Sequence, residues 1–336
     1  YMKQLLKLSA ASLLVVGALS VQASTLSDVQ AKGYVSCGVS KGLAGFSSAD
    51  SSGTWTGVDV DVCRAVAAAT LGDAQKVKFV PLTAKERFTA LQSGEIDMLS
   101  RNTTWTITRD ASLGLNFAGV NYYDGQGFMV KSSLGVSSAM ELSGAAVCIQ
   151  AGTTTELNLA DWGKANGIEY NSVVSDTNAQ TLTNYDAGRC DVLTTDASGL
   201  YSMRAAASDP SEHVVLPEII SKEPLGPVVR QGDDQWFNIV RWSLNAMITA
   251  EELGVTSATV DEVSNNPERE RLMGRSGSTH EYVGLTPDWT YQIVKQVGNY
   301  SESFERNIGI NTPIGIARGV NALWTDGGIL YSPPFR

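Results

Sequence analysis

Segments typical of strands alternate with segments typical of helices along this chain, and that alternation restricts the folds open to it. The strand segments are rich in apolar and β-branched residues, and the helical segments end at glycine. The strands are predicted at residues 34–39, 77–81 and 96–99, and the helices at 58–71 and 83–94. Repeated βα units form a mostly parallel sheet with helices on both faces, so the predicted fold class is α/β.

The same short pattern occurs twice in the chain. Residues 91–99 and 185–193 each show a helix end, a glycine, one spacer, an apolar residue, an aspartate and two apolar strand residues. A polar stretch follows each copy, at 100–104 and at 194–196. Any two βα units share some of these features. Two similar lobes with a cleft between them would also produce the repeat, and open α/β sheets bind ligands beyond the carboxyl ends of their strands.

Two extended stretches are candidates for the hinge between such lobes. They are residues 125–131, and residues 221–230, whose Pro224 and Pro227 exclude a helix. If both cross between lobes, the first lobe is discontinuous in sequence. The expected bounds are then 24–127 plus 228–336 for lobe 1 and 130–222 for lobe 2.

The balance of charge excludes several classes of function. The chain has 25 Lys and Arg against 35 Asp and Glu, a net charge of −10, so a surface that follows nucleic-acid phosphates is not expected. Its two histidines, His213 and His280, lie far apart and lack the spacing of zinc ligands. No cofactor fingerprint and no nucleophile motif is present, so we expect neither a cofactor nor a metal.

The first residues predict export. Lys3 and Lys7 precede an apolar run from Leu8 to Val21, and Ala23 completes the small-x-small pattern that signal peptidase reads. A buried or membrane helix is the alternative, but the run is shorter than the roughly 20 residues that a membrane span needs. We therefore expect residues 1–23 to be a cleaved signal peptide.

Four cysteines follow that segment. An even number in an exported protein favours disulfides, for which three pairings are possible. Their separation along the chain favours Cys37 with Cys63 and Cys148 with Cys190, and four buried free thiols are the alternative.

The stretch Thr104-Trp105-Thr106-Ile107-Thr108-Arg109 is the sharpest local candidate for a binding site. After a buried strand, its threonines offer hydroxyl and backbone N–H donors beside a guanidinium, and that combination suits a carboxylate. The alternative is a surface arginine paired with Asp110 or Glu95.

Two further candidates lie in the second half of the chain. In Gly152-Thr153-Thr154-Thr155-Glu156, Thr153 and Glu156 have the spacing of a capping box, which leaves Thr154 at a helix N-terminus. Asp196 follows a buried strand and could receive an ammonium group, or could cap the next helix. A guanidinium on one lobe and a carboxylate on the other would complement a zwitterion.

In this order and spacing, the motifs resemble the polar amino-acid-binding proteins of ABC uptake systems, the extracellular solute-binding family 3, and within them the general L-amino-acid-binding branch. The resemblance covers essentially the whole chain after the leader. It is carried by Gly45-Phe46-Ser47, Gly57-Val58-Asp59-Val60-Asp61, Thr104-x-Thr106-x-x-Arg109, Gln150 to Glu156, Asp196, and the tail from Asn321 to Gly328.

The resemblance implies a periplasmic-binding-protein-like type II fold: two α/β lobes, a two-strand hinge and a ligand cleft that closes like a flytrap. It implies that Arg109 binds the α-carboxylate of an L-amino acid with Thr104, Thr106 and Thr154, and that Asp196 binds its α-amino group. Where many members place an aromatic residue on the ligand, this chain has Leu43 or Ala44, so Phe46 or Trp55 is the expected substitute. Arg101 and Asn102 are expected in the side-chain pocket.

The resemblance also implies a periplasmic monomer that delivers its cargo to the membrane subunits of an ABC permease. Presentation of a ligand to a chemosensory receptor, or a dehydratase-like activity on the same scaffold, remains the alternative. No second catalytic domain and no catalytic motif favours the enzyme, so we expect none.

Overall fold

The computed structural model describes residues 24–336, so the predicted signal peptide at 1–23 lies outside the described residues. Within residues 24–336, no helix is both long enough and apolar enough to cross a membrane.

Strands and helices alternate through most of the chain, as predicted. The strands are β1 (Val35–Ser40), β2 (Ser48–Ala49), β3 (Trp55–Thr56), β4 (Val77–Leu82), β5 (Met98–Leu99), β6 (Leu115–Phe117), β7 (Tyr122–Asp124), β8 (Gln126–Lys131), β9 (Ala146–Gln150), β10 (Asn171–Ser175), β11 (Val192–Asp196), β12 (His213–Val215), β13 (Glu223–Leu225) and β14 (Val228–Arg230). The helices are α1 (Thr25–Lys32), α2 (Val58–Leu71), α3 (Arg87–Ser93), α4 (Thr154–Asn166), α5 (Asn178–Asp186), α6 (Ala197–Ala206), α7 (Asp234–Glu252), α8 (Pro267–Leu272), α9 (Thr279–Val283), α10 (Trp289–Val297) and α11 (Tyr300–Asn307).

The strands form two five-stranded sheets, one in each lobe. The first has the order β4-β1-β5-β14-β6 and the second the order β10-β9-β11-β8-β12. In the first, β1 is parallel to β4 and β5, and β14 runs antiparallel to β5 and β6. In the second, β9 is parallel to β10 and β11, and β8 runs antiparallel to β11 and β12. The predicted α/β class with two lobes is confirmed.

The repeated sequence pattern corresponds to a repeated structural unit. The first copy ends in β5 and the second in β11, each the third strand of its sheet. Both strands have a parallel neighbour on one side and an antiparallel neighbour on the other. The polar residues after these strands therefore leave equivalent positions of the two lobes.

A short antiparallel pair, β7 with β13, connects the lobes. Asp124 faces Glu223 in its register, and Tyr122 faces Leu225. The stretch at 125–131, expected as a connection, lies one strand later: β8 has five buried residues and pairs inside the second sheet. Its extended conformation therefore comes from core packing, and the exact lobe bounds stay a prediction.

Each lobe has one disulfide. Cys37 of β1 is bonded to Cys63 of α2, and Cys148 of β9 to Cys190 just before β11. These are the pairings that sequence separation favoured. Cys37 and Cys148 lie on the second strand of their respective sheets, so each bond attaches an inner strand, in one lobe to α2 and in the other to the segment before β11.

The C-terminal segment after α7 packs on the first lobe and reaches the connecting strands. The Asn321 side chain, which is 3% exposed, accepts a hydrogen bond from the Tyr123 N–H at 2.7 Å and donates one to the Tyr123 carbonyl at 3.0 Å. The Tyr300 hydroxyl donates to the Asn121 carbonyl at 2.7 Å. The C-terminal segment thus stabilises β7 through hydrogen bonds that are separate from those between β7 and β13.

We predict that Asn321→Ala lowers the free energy of unfolding by about 1–3 kcal/mol, because both backbone groups of Tyr123 lose their partner where water has little access. Chemical denaturation measures the change. Asn166→Ala, which removes an exposed amide bonded to the Trp162 carbonyl, is the control and should change stability far less. Equal effects of the two substitutions would contradict the role of Asn321.

Candidate functional site

Two threonines from opposite lobes meet at the centre of the molecule. Thr104 follows β5 in the first lobe, and Thr154 is the first residue of α4 in the second. Their hydroxyl oxygens are 3.3 Å apart. The polar stretch that follows β5 in the first lobe therefore contacts the start of α4 in the second.

Further contacts between the lobes surround this point. The Ser202 hydroxyl of α6 donates to the Ala44 carbonyl at 2.9 Å. At the exposed edge, Lys85 and Asp176 form an ion pair at 2.8 Å. The lobes of this structure are therefore closed on each other.

The turn before α4 is arranged differently from the expected capping box. The Thr153 hydroxyl donates to the Gln150 carbonyl at 2.7 Å and makes no capping bond to the helix. The Glu156 carboxylate accepts from the Gly152 N–H at 2.7 Å instead of the Thr153 N–H. Glu156 thus closes the loop one residue earlier than the spacing suggested, and Thr154 still lies at the helix start.

Arg109 is buried beside these threonines. It is 8% exposed, and its Nη1 donates to the Thr104 carbonyl at 2.9 Å while the guanidinium lies over the Phe88 ring at 5.1 Å. It forms no ion pair with Asp110 or Glu95, so the surface alternative does not describe it. Burial lowers the pKa of Arg109, and the carboxylates of Glu223 and Asp196 oppose that change.

Asp196 ends β11 at the N-terminus of α6, but its side chain makes no capping hydrogen bond. It is 6% exposed. Burial raises the pKa of Asp196 well above its ordinary value, and the nearby carboxylates of Asp124 and Glu223 raise it further. The Arg87 charge and the Asn102 side chain act in the opposite direction. Asp196 is thus a buried acid whose compensation within the protein is incomplete.

Glu223, on the connecting strand β13, is one residue that the sequence reasoning missed. Only 1% of it is exposed, and its Oε2 accepts hydrogen bonds from Thr104 Oγ1 at 2.5 Å and Thr154 Oγ1 at 2.9 Å. Its Oε1 accepts from Asn158 Nδ2 at 2.6 Å and from Ser221 Oγ at 2.8 Å. The proline-containing stretch at 221–230 predicted a connection between the lobes, but nothing in it indicated a binding role for Glu223.

Asp124 and Arg87 were also missed. Asp124 faces Glu223 across the connecting strands and accepts from the Ser198 hydroxyl, and burial raises the pKa of Asp124 to about 6. Arg87 of α3 donates across the lobes to the Gly152 carbonyl at 3.5 Å, and burial lowers its pKa strongly. An aspartate before a glycine and an arginine inside a helix carry no distinctive sequence signal.

Arg101 and Asn102 support the first-lobe side. Arg101 Nε donates to the Leu82 carbonyl at 3.0 Å, and burial lowers the pKa of Arg101 to about 10. Asn102 has a left-handed backbone (φ 33°), which is costly for any residue other than glycine, and its N–H donates to Asp59 at 2.6 Å. Burial raises the pKa of Asp59 to about 6.

The remaining candidates contact residues of the first lobe or of β7. Phe46 is fully buried and packs edge-on against Tyr122, with ring centroids 5.4 Å apart, so its packing is that of a core residue. Trp55 lies against Phe79 in the same lobe. The Thr106 hydroxyl accepts from the Arg109 N–H at 3.2 Å and so orients the turn that carries Arg109.

The resulting centre has opposite charges on opposite sides. The first lobe provides the guanidinium groups of Arg87, Arg101 and Arg109, and the second lobe with the connecting strands provides the carboxylates of Asp196, Asp124 and Glu223. Such a closed site complements a small molecule that has an anionic and a cationic end.

Comparison with known proteins identifies the family of this chain. The sequence pattern of the bacterial extracellular solute-binding proteins, family 3, matches residues 35–259. The general L-amino acid-binding periplasmic protein AapJ of Rhizobium johnstonii is 61% identical over 97% of both chains. The glutamate/glutamine/aspartate/asparagine-binding protein BztA of Rhodobacter capsulatus is 56% identical over 96% of both.

A solved structure shows the same architecture. A periplasmic binding protein of an ABC transporter from Brucella ovis, with glutathione bound, is 58% identical and superposes with a TM-score of 0.91, covering 94% of this chain and all of that one. The two-lobe type II fold is therefore confirmed, and this chain belongs to the bacterial extracellular solute-binding proteins of family 3.

Proposed function

We propose that this protein is the substrate-binding component of an ABC amino-acid uptake system and captures free L-amino acids by closing its lobes. The main support for this proposal is the buried centre, in which arginines of one lobe face carboxylates of the other lobe and of the connecting strands. The names of AapJ and BztA support the same ligand class.

In this proposal Arg109 binds the α-carboxylate. The described contacts engage one of its guanidinium N–H donors, and a planar guanidinium can bind both oxygens of a carboxylate. Asp196 receives the α-ammonium group, which supplies the compensation that this buried acid lacks. Thr104 and Thr154 touch the ligand from the two lobes, and Arg101 and Asn102 border its side chain.

Binding and closure are coupled because no single lobe carries the whole site. A ligand that contacts Arg109 alone gains little, whereas one that also meets Asp196 stabilises the closed state. Periplasmic binding proteins close around their ligands by a hinge motion of this kind. Several charge-assisted hydrogen bonds at about 1.5–3 kcal/mol each, offset by ordering and desolvation, give a dissociation constant on the order of 1 μM.

The wider role follows from the same proposal. Residues 1–23 direct export and are cleaved, and the closed monomer delivers its ligand in the periplasm to the membrane subunits of a permease. The protein carries its ligand unchanged, since the site offers binding groups without a nucleophile motif.

Glutathione is a second candidate ligand, favoured by the Brucella ovis protein that has it bound. The γ-glutamyl end of glutathione has a free α-ammonium and a free α-carboxylate, so it presents the same two charges as an amino acid. Arg109 and Asp196 would then bind that end, and the rest of the tripeptide would occupy the side-chain pocket.

A thermal-shift panel of the twenty amino acids and glutathione tests the ligand class. A ligand at 100 times its dissociation constant should raise stability by about 2.7 kcal/mol. N-Acetyl-L-glutamate, which lacks the ammonium group, is the control and should give a much smaller shift. A panel without any shift above that control would refute amino-acid binding.

Arg109→Ala should weaken amino-acid binding by about 100-fold or more, because the ligand carboxylate is then buried without its counter-charge. Isothermal titration calorimetry measures the loss. Arg189→Ala, at an exposed arginine bonded to Asn184, is the matched control and should bind normally. Near-normal affinity in Arg109→Ala would reject the carboxylate role.

The raised pKa values of Asp124 and Asp196 predict how binding depends on pH. Burial in the closed site raises the pKa of both acids and so favours proton uptake, whereas an ammonium group requires the carboxylate. Amino-acid binding therefore releases protons, and affinity should fall as pH decreases from about 8 to about 5.

A deaminated analogue such as glutarate should show the opposite trend, since protonation removes repulsion. Asp196→Asn should weaken the amino acid far more than the analogue and flatten its pH dependence. Asp191→Asn, at the other end of the same segment and exposed, is the control. Calorimetry across this range decides, and parallel pH dependence of both ligands would contradict the assignment.

A further inference from the structure

Glu223 is the point at which three parts of the molecule meet. It belongs to the connecting strand β13, and its carboxylate is hydrogen-bonded to Thr104 of the first lobe and Thr154 of the second. Both hydroxyls donate to the same oxygen, Oε2. Asn158 and Ser221 donate to Oε1 and fix the plane of the carboxylate.

The direction of these hydrogen bonds follows from the groups involved. A carboxylate can only accept, whereas a hydroxyl has one proton to donate and two lone pairs. The two hydroxyls are 3.3 Å apart but only 2.5 and 2.9 Å from Glu223 Oε2, so each donates its single proton to the nearer and charged acceptor. What the two hydroxyls can offer a ligand is lone pairs, so they act as acceptors.

This conclusion changes the role that the family resemblance gave to these hydroxyls. A hydroxyl that has no free proton cannot donate to the α-carboxylate of a ligand. It can accept from an ammonium group, whose three N–H donors need several acceptors in a dry site. Arg109, with most of its donors outside the described contacts, remains the group for the carboxylate.

We propose that Glu223 is a positioning residue that fixes Thr104 and Thr154 as acceptors and thereby assigns their hydroxyls to the ammonium end of the ligand. The proposal rests on the proposed amino-acid binding. Glu223 acts through the threonines: its negative charge also lies opposite Asp124, so the whole connecting pair favours a cation between the lobes.

Glu223→Gln tests the proposal with little change of shape. The new amide can donate to one of the threonine hydroxyls, whose own proton is then free to point at the ligand. The probes are L-glutamate and glutarate, which differ only in the amino group. We expect the variant to bind L-glutamate at least tenfold more weakly and glutarate as well as or better than the wild type.

The matched control is Glu218→Gln. Glu218 lies five positions earlier and accepts from the Ser138 hydroxyl inside the second lobe, and it touches neither threonine. This control should leave the ratio of the two affinities unchanged. Equal losses for L-glutamate and glutarate in Glu223→Gln would overturn the proposal, because a merely structural role weakens both.

A second pair of variants tests directly whether the Thr154 hydroxyl accepts a hydrogen bond from the ligand. Thr154→Val removes the acceptor and should lower the L-glutamate to glutarate ratio of affinities by about tenfold, whereas Thr154→Ser should restore it. If Thr154→Val weakens glutarate more, the hydroxyl donates to the carboxylate and the proposal is wrong. The wild type distinguishes failure of the proposed function from failure of the Glu223 proposal. If the wild type bound no amino acid, the proposed function would be wrong. If it binds L-glutamate, the variants test only the role of Glu223.

Discussion

Charge that is buried where two lobes meet must be compensated there, and that requirement shapes the centre of this molecule. Arginines lie on the first lobe, and carboxylates lie on the second lobe and on β13. The attraction between the arginines and the carboxylates offsets the cost of burying both sets of charges only when the lobes are together. The connecting strands add a specific conflict, because Asp124 and Glu223 face each other in register, and like charges opposite one another destabilise a strand pair. Hydroxyl donors from Ser198, Thr104 and Thr154 reduce that conflict without removing it.

Incomplete compensation of the buried carboxylates is the reason that the site suits a zwitterion. Burial and the carboxylates of Asp124 and Glu223 keep the pKa of Asp196 raised, although the Arg87 charge and the Asn102 side chain act against them. In the proposed complex a ligand ammonium supplies the missing positive charge, and a ligand carboxylate pairs with Arg109. The same molecule thus relieves both sides of the junction at once.

Much of the fold could be predicted because its signals are local. Alternating segments gave the α/β class, the repeat located β5 and β11, and the threonine–arginine stretch marked one face of the centre. Glu223 could not be found in this way, because its partners Thr104 and Thr154 lie 119 and 69 positions away. The resemblance suggested Phe46 as a ligand contact, and the structure shows its ring packed on Tyr122, a contact that the sequence did not predict. Glu156 likewise met the spacing of a capping box but bonded the N–H of Gly152.

The position of β14 in the first sheet has a consequence for the order in which the two sheets can be completed as the chain emerges from its N-terminus. This strand lies between β5 and β6, although it follows the whole second lobe in sequence. The second sheet comes from one uninterrupted stretch, residues 126–215, so all its strands are available as soon as that stretch has emerged. The first sheet must keep a gap between two of its strands until residues 228–230 emerge, and α10, which packs on α2, appears later still. The first lobe is therefore the last to have all its strands and helices available for folding.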